Sequence, residues 1–234
     1  MLLQIKQIHK GYGTPGSHAF RQVLNDLSWQ VEQGSRVSIT GPSGCGKTTL
    51  LNLIGALDRP DSGQIMYNGK DISTFSNGAL ASFRNRELGF VFQQHHLLPQ
   101  LTLWENVLLP LVPSGKGNLE ESHHWAEHLL RKTGIWEQRH QKPAQLSGGE
   151  CQRTAVVRAM INKPALILAD EPTGALDEQN AGNLAELLIQ LSREEGITLI
   201  VVTHASELAQ KMDAVYQMRN GQLFTYGQAS FLLH

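Results

Sequence analysis

The chain has 234 residues, enough to bury a sizeable core, and its 20 Lys and Arg against 21 Asp and Glu leave no basic excess of the kind a nucleic-acid or acidic-lipid binder normally shows. Cys45 and Cys151 cannot form a disulfide framework for a chain this long, which fits a reducing compartment. The opening Met-Leu-Leu-Gln-Ile-Lys has no apolar leader region, and no run of about 18 apolar residues occurs, so the expectation is a chain neither secreted nor membrane-spanning.

In chain order, Leu3 to Ile8 alternates apolar with polar, and Val23 to Val31 does so more loosely, as half-buried antiparallel strands do; Gly11 to Gly16 between them reads as a loop. Arg36 to Thr40 is a β-rich run that passes through glycines into Thr48 to Gly55, which has helical spacing. Leu97 to Ile161 lacks buried strands and carries helical patterns broken at Pro110, Pro113, Gly115 and Gly117. Ala165 to Ala169 and Ile197 to Val202 are short, apolar strands, with an amphipathic helix over Ala181 to Glu194 between them. Buried strands alternating with helices predict an α/β fold: a mostly parallel sheet core, an N-terminal antiparallel β subdomain and an inserted helical subdomain. One functional unit is expected over 1–234, with the core at about 1–94 and 162–234 and the helical subdomain at about 95–161.

The chemistry begins at Gly41-Pro42-Ser43-Gly44-Cys45-Gly46-Lys47-Thr48, which meets every fixed position of G-x-x-x-x-G-K-[ST] between a strand and a helix. Such glycines let backbone N–H groups curl round phosphates, and the helix beginning there adds the favourable end of its dipole. Lys47 is then expected on the β and γ phosphates and the Thr48 hydroxyl on Mg2+, while Cys45 is read as a passive thiol of the loop. A buried apolar strand ends in Asp170 and Glu171, the place for carboxylates at the C-terminal edge of a parallel sheet. Asp170 suits Mg2+, and Glu171 can orient and deprotonate an attacking water. No internal repeat is present, so a single nucleotide site per chain is expected.

Leu146-Ser147-Gly148-Gly149-Glu150, together with Gln93, the run Asp170-Glu171-Pro-Thr-Gly-Ala-Leu-Asp177 and His204, makes the chain resemble the ABC ATPases over nearly all of its length. The resemblance implies a P-loop NTPase core of the RecA type, with ATP and Mg2+ as ligands. It also implies a head-to-tail pairing with a second copy, in which Ser147, Gly148 and Gly149 of one chain close over the γ phosphate held by the other. Ser-Gly-Gly at a helix start suits an anion, offering a hydroxyl, bare N–H groups and a positive dipole end. Residue by residue, Tyr12 resembles the aromatic that stacks on adenine, with Phe20 the second aromatic of that loop. Gln93, with Gln94 beside it, resembles the glutamine that senses the γ phosphate and Mg2+. His204 resembles the switch histidine on the γ phosphate, Asp177 the residue that couples the paired sites, and Thr49 a partner of the α phosphate. Glu150 and Cys151 depart from the Gln and longer polar residue common there in the family, a difference expected to touch the details of dimer closure.

The stretch Phe90 to Pro110 resembles most the lipoprotein-releasing and macrolide-exporter ATPases, the His-His-Leu-Leu-Pro segment being especially close to the former. That implies docking of an integral membrane subunit near residues 93–110, a peripheral place on the cytoplasmic face of the inner or plasma membrane, and mechanical rather than channel-type transport. A rival is a regulatory ABC ATPase of the cell-division type that activates cell-wall hydrolases through a membrane partner. A soluble DNA- or ribosome-directed ABC protein fits poorly, since no nucleic-acid partner is expected from the near-zero charge and no coiled-coil insertion is evident. The pairs His95-His96 and His123-His124 lack an accompanying ligand set and are not expected to hold a metal.

Overall fold

The computed structural model describes residues 1–14, 16, 19–114 and 119–226. The chain divides into two units, one of Met1–Ala81 with the chain from Ile200 onward, the other of Ser82–Leu199.

The first unit opens with strand β1 (Leu3–Tyr12), paired antiparallel to β2 (Arg21–Val31) with Leu3 opposite Val31 and Tyr12 opposite Arg21. The loop expected from Gly11 therefore begins later: Gly11 and Tyr12 still belong to the ladder, and Phe20 packs so closely on Gly11 that a Cβ there would lie 2.5 Å from its ring. After β3 (Arg36–Thr40) and helix α1 (Lys47–Ile54) come β4 (Ser62–Tyr67) and β5 (Lys70–Asp71), completing a sheet of order β2-β1-β4-β5. Its inner face is Leu3, Ile5, Ile8, Leu24, Leu27, Ile65 and Tyr67, the alternation that a half-buried sheet requires.

Helix α2 (Asn77–Glu87) leads into the second unit, where β6 (Leu88–Phe92) is followed by helices α3 (Leu103–Leu108), α4 (Leu119–Lys132) and α5 (Gly148–Met160). Among the described residues from 95 to 161 no strand forms; Pro110 and Pro113 lie in a 3-10 turn, and the breaks expected at Gly115 and Gly117 lie outside the described residues. Strand β7 (Leu166–Asp170) then pairs parallel with β6, Leu88 opposite Leu166 and Phe92 opposite Asp170. α5 runs so close beneath β6 that a Cβ on Gly89 would lie 2.3 Å from the Ala159 carbonyl, a contact only glycine permits. Helix α6 (Glu178–Glu194) starts three residues before the expected Ala181, because Asp177 caps it and accepts from Asn180 N at 3.0 Å.

Strand β8 (Thr198–Val202) carries the division between the units. Helix α7 (Ser206–Gln210), β9 (Ala214–Arg219) and β10 (Gln222–Thr225) complete the first unit, β9 parallel to β3 with Val37 opposite Ala214, and β10 antiparallel to β9. β9 and β10 escape the sequence reading because no clean alternation marks them; Trp29 covers β9 edge-on at Tyr216, ring centroids 5.2 Å apart. No helix among the described residues is long and apolar enough to cross a membrane.

Candidate functional site

In the first unit the glycine-rich loop joins β3 to α1. Gly41 has φ 144°, and a Cβ there would stand 2.5 Å from the Met218 carbonyl, so the turn out of β3 needs glycine. Lys47 is only 7% exposed, and its Nζ donates to the carbonyls of Gly41 at 2.9 Å and Pro42 at 3.0 Å, curling into the hollow of its own loop. His204, just past β8, brings its Nε2 to 3.4 Å from Lys47 Nζ. Thr203 sets that position by donating its N–H to the Ile39 carbonyl of β3 and accepting from Ala205 N with its hydroxyl. Pro42, Ser43, Gly44 and Thr48 are exposed, while Cys45 and Thr49 are half-buried.

Tyr12, at the end of β1, is 45% exposed, and its hydroxyl donates to Asp58 at 3.0 Å. Lys10, 8% exposed, donates to the other Asp58 oxygen at 2.9 Å and stands 5.1 Å from the Tyr12 ring. Burial first, and then the Asp58 carboxylate, raises the Tyr12 phenol above its ordinary value against the pull of a Thr49 hydrogen bond. Burial pushes the Asp58 carboxyl up, but the Lys10 ammonium and the Arg59 N–H outweigh it and hold the group low. Opposite Tyr12 in the ladder, Arg21 donates to the Gly44 carbonyl at 2.8 Å. Lys10, Arg21 and Asp58 were invisible as site residues because no local motif marks them.

In the second unit the register of β6 and β7 brings Gln93 and Glu171 out side by side, since their preceding residues Phe92 and Asp170 are partners. The Gln93 side chain lies over the turn after Glu171: a Cβ on Gly174 would be 3.0 Å from Gln93 Nε2. Glu171 has φ 47°, a left-handed backbone uncommon outside glycine. Asp170 closes β7 half-buried.

Ser147 caps α5 in a two-way box: Glu150 N donates to its hydroxyl at 3.3 Å, while Ser147 N and the hydroxyl both donate to the Glu150 carboxylate at 2.7 Å. Those bonds hold the Glu150 carboxyl below its ordinary value. The departure at Glu150 is thus a residue the cap itself uses. Cys151 points inward, 3% exposed, with Sγ 3.7 Å from the Pro143 carbonyl; burial and then Glu150 push its thiol up. Asn180 links this start to Asp177, donating Nδ2 to its carboxylate at 2.6 Å and standing with Oδ1 3.4 Å from where a Gly149 Cβ would be.

Three histidines of the two pairs have partners: His95 Nδ1 accepts from Leu97 N, His96 packs on Phe92 and His123 on Trp104. Burial, then the Arg158 and His96 charges, lower His95.

The ABC transporter family profile matches residues 24–174. The lipoprotein-releasing system ATP-binding protein LolD of Porphyromonas gingivalis is 44% identical over 225 residues, 96% of this chain and 100% of that one. The protein of the same name from Idiomarina loihiensis is 43% identical over 222 residues, 95% of this chain and 96% of its own length. Among solved structures, a dimeric ATP-binding cassette in a post-hydrolysis state with ADP and Pi superposes with a TM-score of 0.85 at 36% identity, covering 95% of this chain and 96% of that one. With alignment of that extent, the chain belongs to the ABC transporter family, as an ATP-binding and ATP-hydrolysing subunit.

Proposed function

We propose that the chain powers a lipoprotein-releasing type of transporter, pairing with a second copy in ATP and driving a separate membrane subunit from the cytoplasmic face. Support comes from its likeness, along nearly the whole chain, to lipoprotein-releasing subunits and to a cassette solved as a dimer.

The observation that carries the docking part is the build of the segment after Gln93. Leu97, Leu103, Asn106 and Val107 turn inward, while Leu98 stays 43% exposed and Pro99 and Gln100 are exposed. Asn106, fully buried, accepts from Leu98 N and donates to the carbonyls of Leu98, Leu101 and Thr102, while Arg158 donates to the carbonyls of His95 and His96. A loop so held presents a preshaped surface with Leu98 and Pro99 outward among polar neighbours, suited to a helix of a membrane partner near residues 93–110. Residues 95–161 serve in this reading as the helical subdomain that meets that partner, and 1–94 with 162–234 as the nucleotide-holding core.

Tyr12 stacks on adenine, residues 41–49 cradle the phosphates, and Lys47 exchanges its loop carbonyls for phosphate oxygens. Thr48, Gln93 and Asp170 offer hydroxyl, amide and carboxylate oxygens, the donor types a hard Mg2+ accepts when it keeps several waters. When bound, the ion neutralises charge on the phosphates. Ser147, Gly148 and Gly149 of the second copy close the site, Asp177 lies at the joint between copies, Glu171 takes a proton from the attacking water, and His204 holds the γ phosphate. Loss of phosphate removes the charge holding the pair closed, and the pair reopens.

The test is affinity capture of tagged Glu171→Gln protein with MgATP from detergent-solubilised native membranes. Recovery of a partner with few spans and a large periplasmic domain, bound to lipoprotein, is expected. A many-span permease, or a partner of cell-wall hydrolases, would overturn the lipoprotein assignment.

A further inference from the structure

We infer that Gln152 is a positioning residue for ATP hydrolysis, a buried strut by which the helix opening at Ser147 holds both the Gln93 strand end and the Glu171 turn. This rests on the ATPase function stated above.

Gln152 lies on α5, a little over a turn after the Ser147 cap, and is 2% exposed. A buried primary amide must spend its donors, and this one spends both hydrogens of Nε2 on two distant carbonyls: Phe92 at 2.7 Å and Pro172 at 2.8 Å. Each acceptor adjoins a residue assigned to the chemistry, Phe92 immediately before Gln93 and Pro172 immediately after Glu171. The β6–β7 register ends at the pair Phe92 and Asp170, so beyond it the two emerging segments need another tie to keep their spacing. The amide of Gln152 is that tie.

The Glu171 backbone gives a second, independent reason for a strut. A residue before proline is biased toward extended backbone at negative φ, yet Glu171 sits at 47°. Such strain persists only where the surroundings over-determine it. The turn is held by Gly174 N donating to the Glu171 carbonyl at 3.0 Å on one side, and by Gln152 on the Pro172 carbonyl on the other. A shift of α5 at its Ser147 end therefore reaches the Glu171 and Gln93 backbones through a single side chain, without passing through the nucleotide.

The experiment uses the full chain and Gln152→Met, which keeps the length and removes both donors. Steady-state hydrolysis is measured with MgATP, and amide exchange is followed at Gly174. The expected result is a kcat lower by about ten-fold to about a hundred-fold, the range a misplacement of about 1 Å produces, with KM for ATP within about two-fold. Gly174 exchange is expected to quicken while exchange along α5 stays unchanged. An unaltered kcat, or a variant whose kcat, KM and α5 exchange worsen together as in general unfolding, overturns the strut. If the methionine variant does not fold, Gln152→Asn, which keeps the amide but shortens its reach, replaces it with the same two outcomes. Absence of hydrolysis by the unsubstituted protein counts against the ATPase function alone, because Gly174 exchange still tests the strut without turnover.

Discussion

Lys47 Nζ and His204 Nε2 stand 3.4 Å apart although 157 positions separate the residues. Through this pair the phosphate loop and the end of β8 meet in one contact. Lys47→Ala is expected to abolish nucleotide retention, read by equilibrium binding of a fluorescent ATP analogue. His204→Ala should keep binding and lose about a hundred-fold in kcat, the scale of removing one preorganised donor. Equal loss of binding in both variants would show that His204 serves the loop and not the reaction.

Glu171 is proposed as the base, so Glu171→Gln should cost about 10²-fold to 10⁴-fold in turnover while leaving ATP affinity intact. With MgATP the variant is expected to elute in gel filtration as a dimer, and with ADP as a monomer. Turnover at the unsubstituted rate would remove Glu171 from the mechanism.

Tyr12, proposed to stack on adenine, is tied by its hydroxyl to Asp58. Stacking is worth about 1–3 kcal/mol per base, so Tyr12→Ala should raise KM for ATP at least about five-fold with kcat little changed. Asp58→Ala frees the ring and should raise KM less. Because the two share a hydrogen bond, the double variant should fall short of the sum of the single effects. Strict additivity in the titrations would mean the Asp58 contact does not orient the ring.

Ser147→Ala removes the α5 cap and should lower stability by about 1 kcal/mol in thermal melts. Glu150→Gln should cost less than that near pH 7, since a glutamine closes the same box and loses only the charge. The Glu150 carboxyl is held low in the fold, so its contribution is present above the ordinary carboxylate range and lost as pH falls through the lowered folded value. Melts of the unsubstituted protein and of the Glu150→Gln variant should accordingly converge in acid. A gap that widens with acidification would contradict the sign.

Contact order along the chain explains how much of this was legible. The phosphate loop, the Asp170-Glu171 strand end and the Ser147 cap are contiguous, because each depends on a turn meeting a helix or strand within a few residues, and local backbone geometry demands those residue types. The strand Leu166–Asp170 was legible because burial on both faces leaves an apolar run, and Arg36–Thr40 because of its β-rich residues Val37, Ile39 and Thr40. β9 and β10 were not, since their half-buried residues follow from what covers them. What only the tertiary structure decided is which distant groups meet: Asp58 on Tyr12, 46 positions away, Gln152 on Phe92, 60 positions away, and Gln93 rather than Gln94 over Gly174. A hydrogen bond between segments far apart leaves no periodicity in the sequence of either one. It exists only because the packed strands and helices have already fixed where each side chain ends, and satisfying buried polar groups then selects the partner.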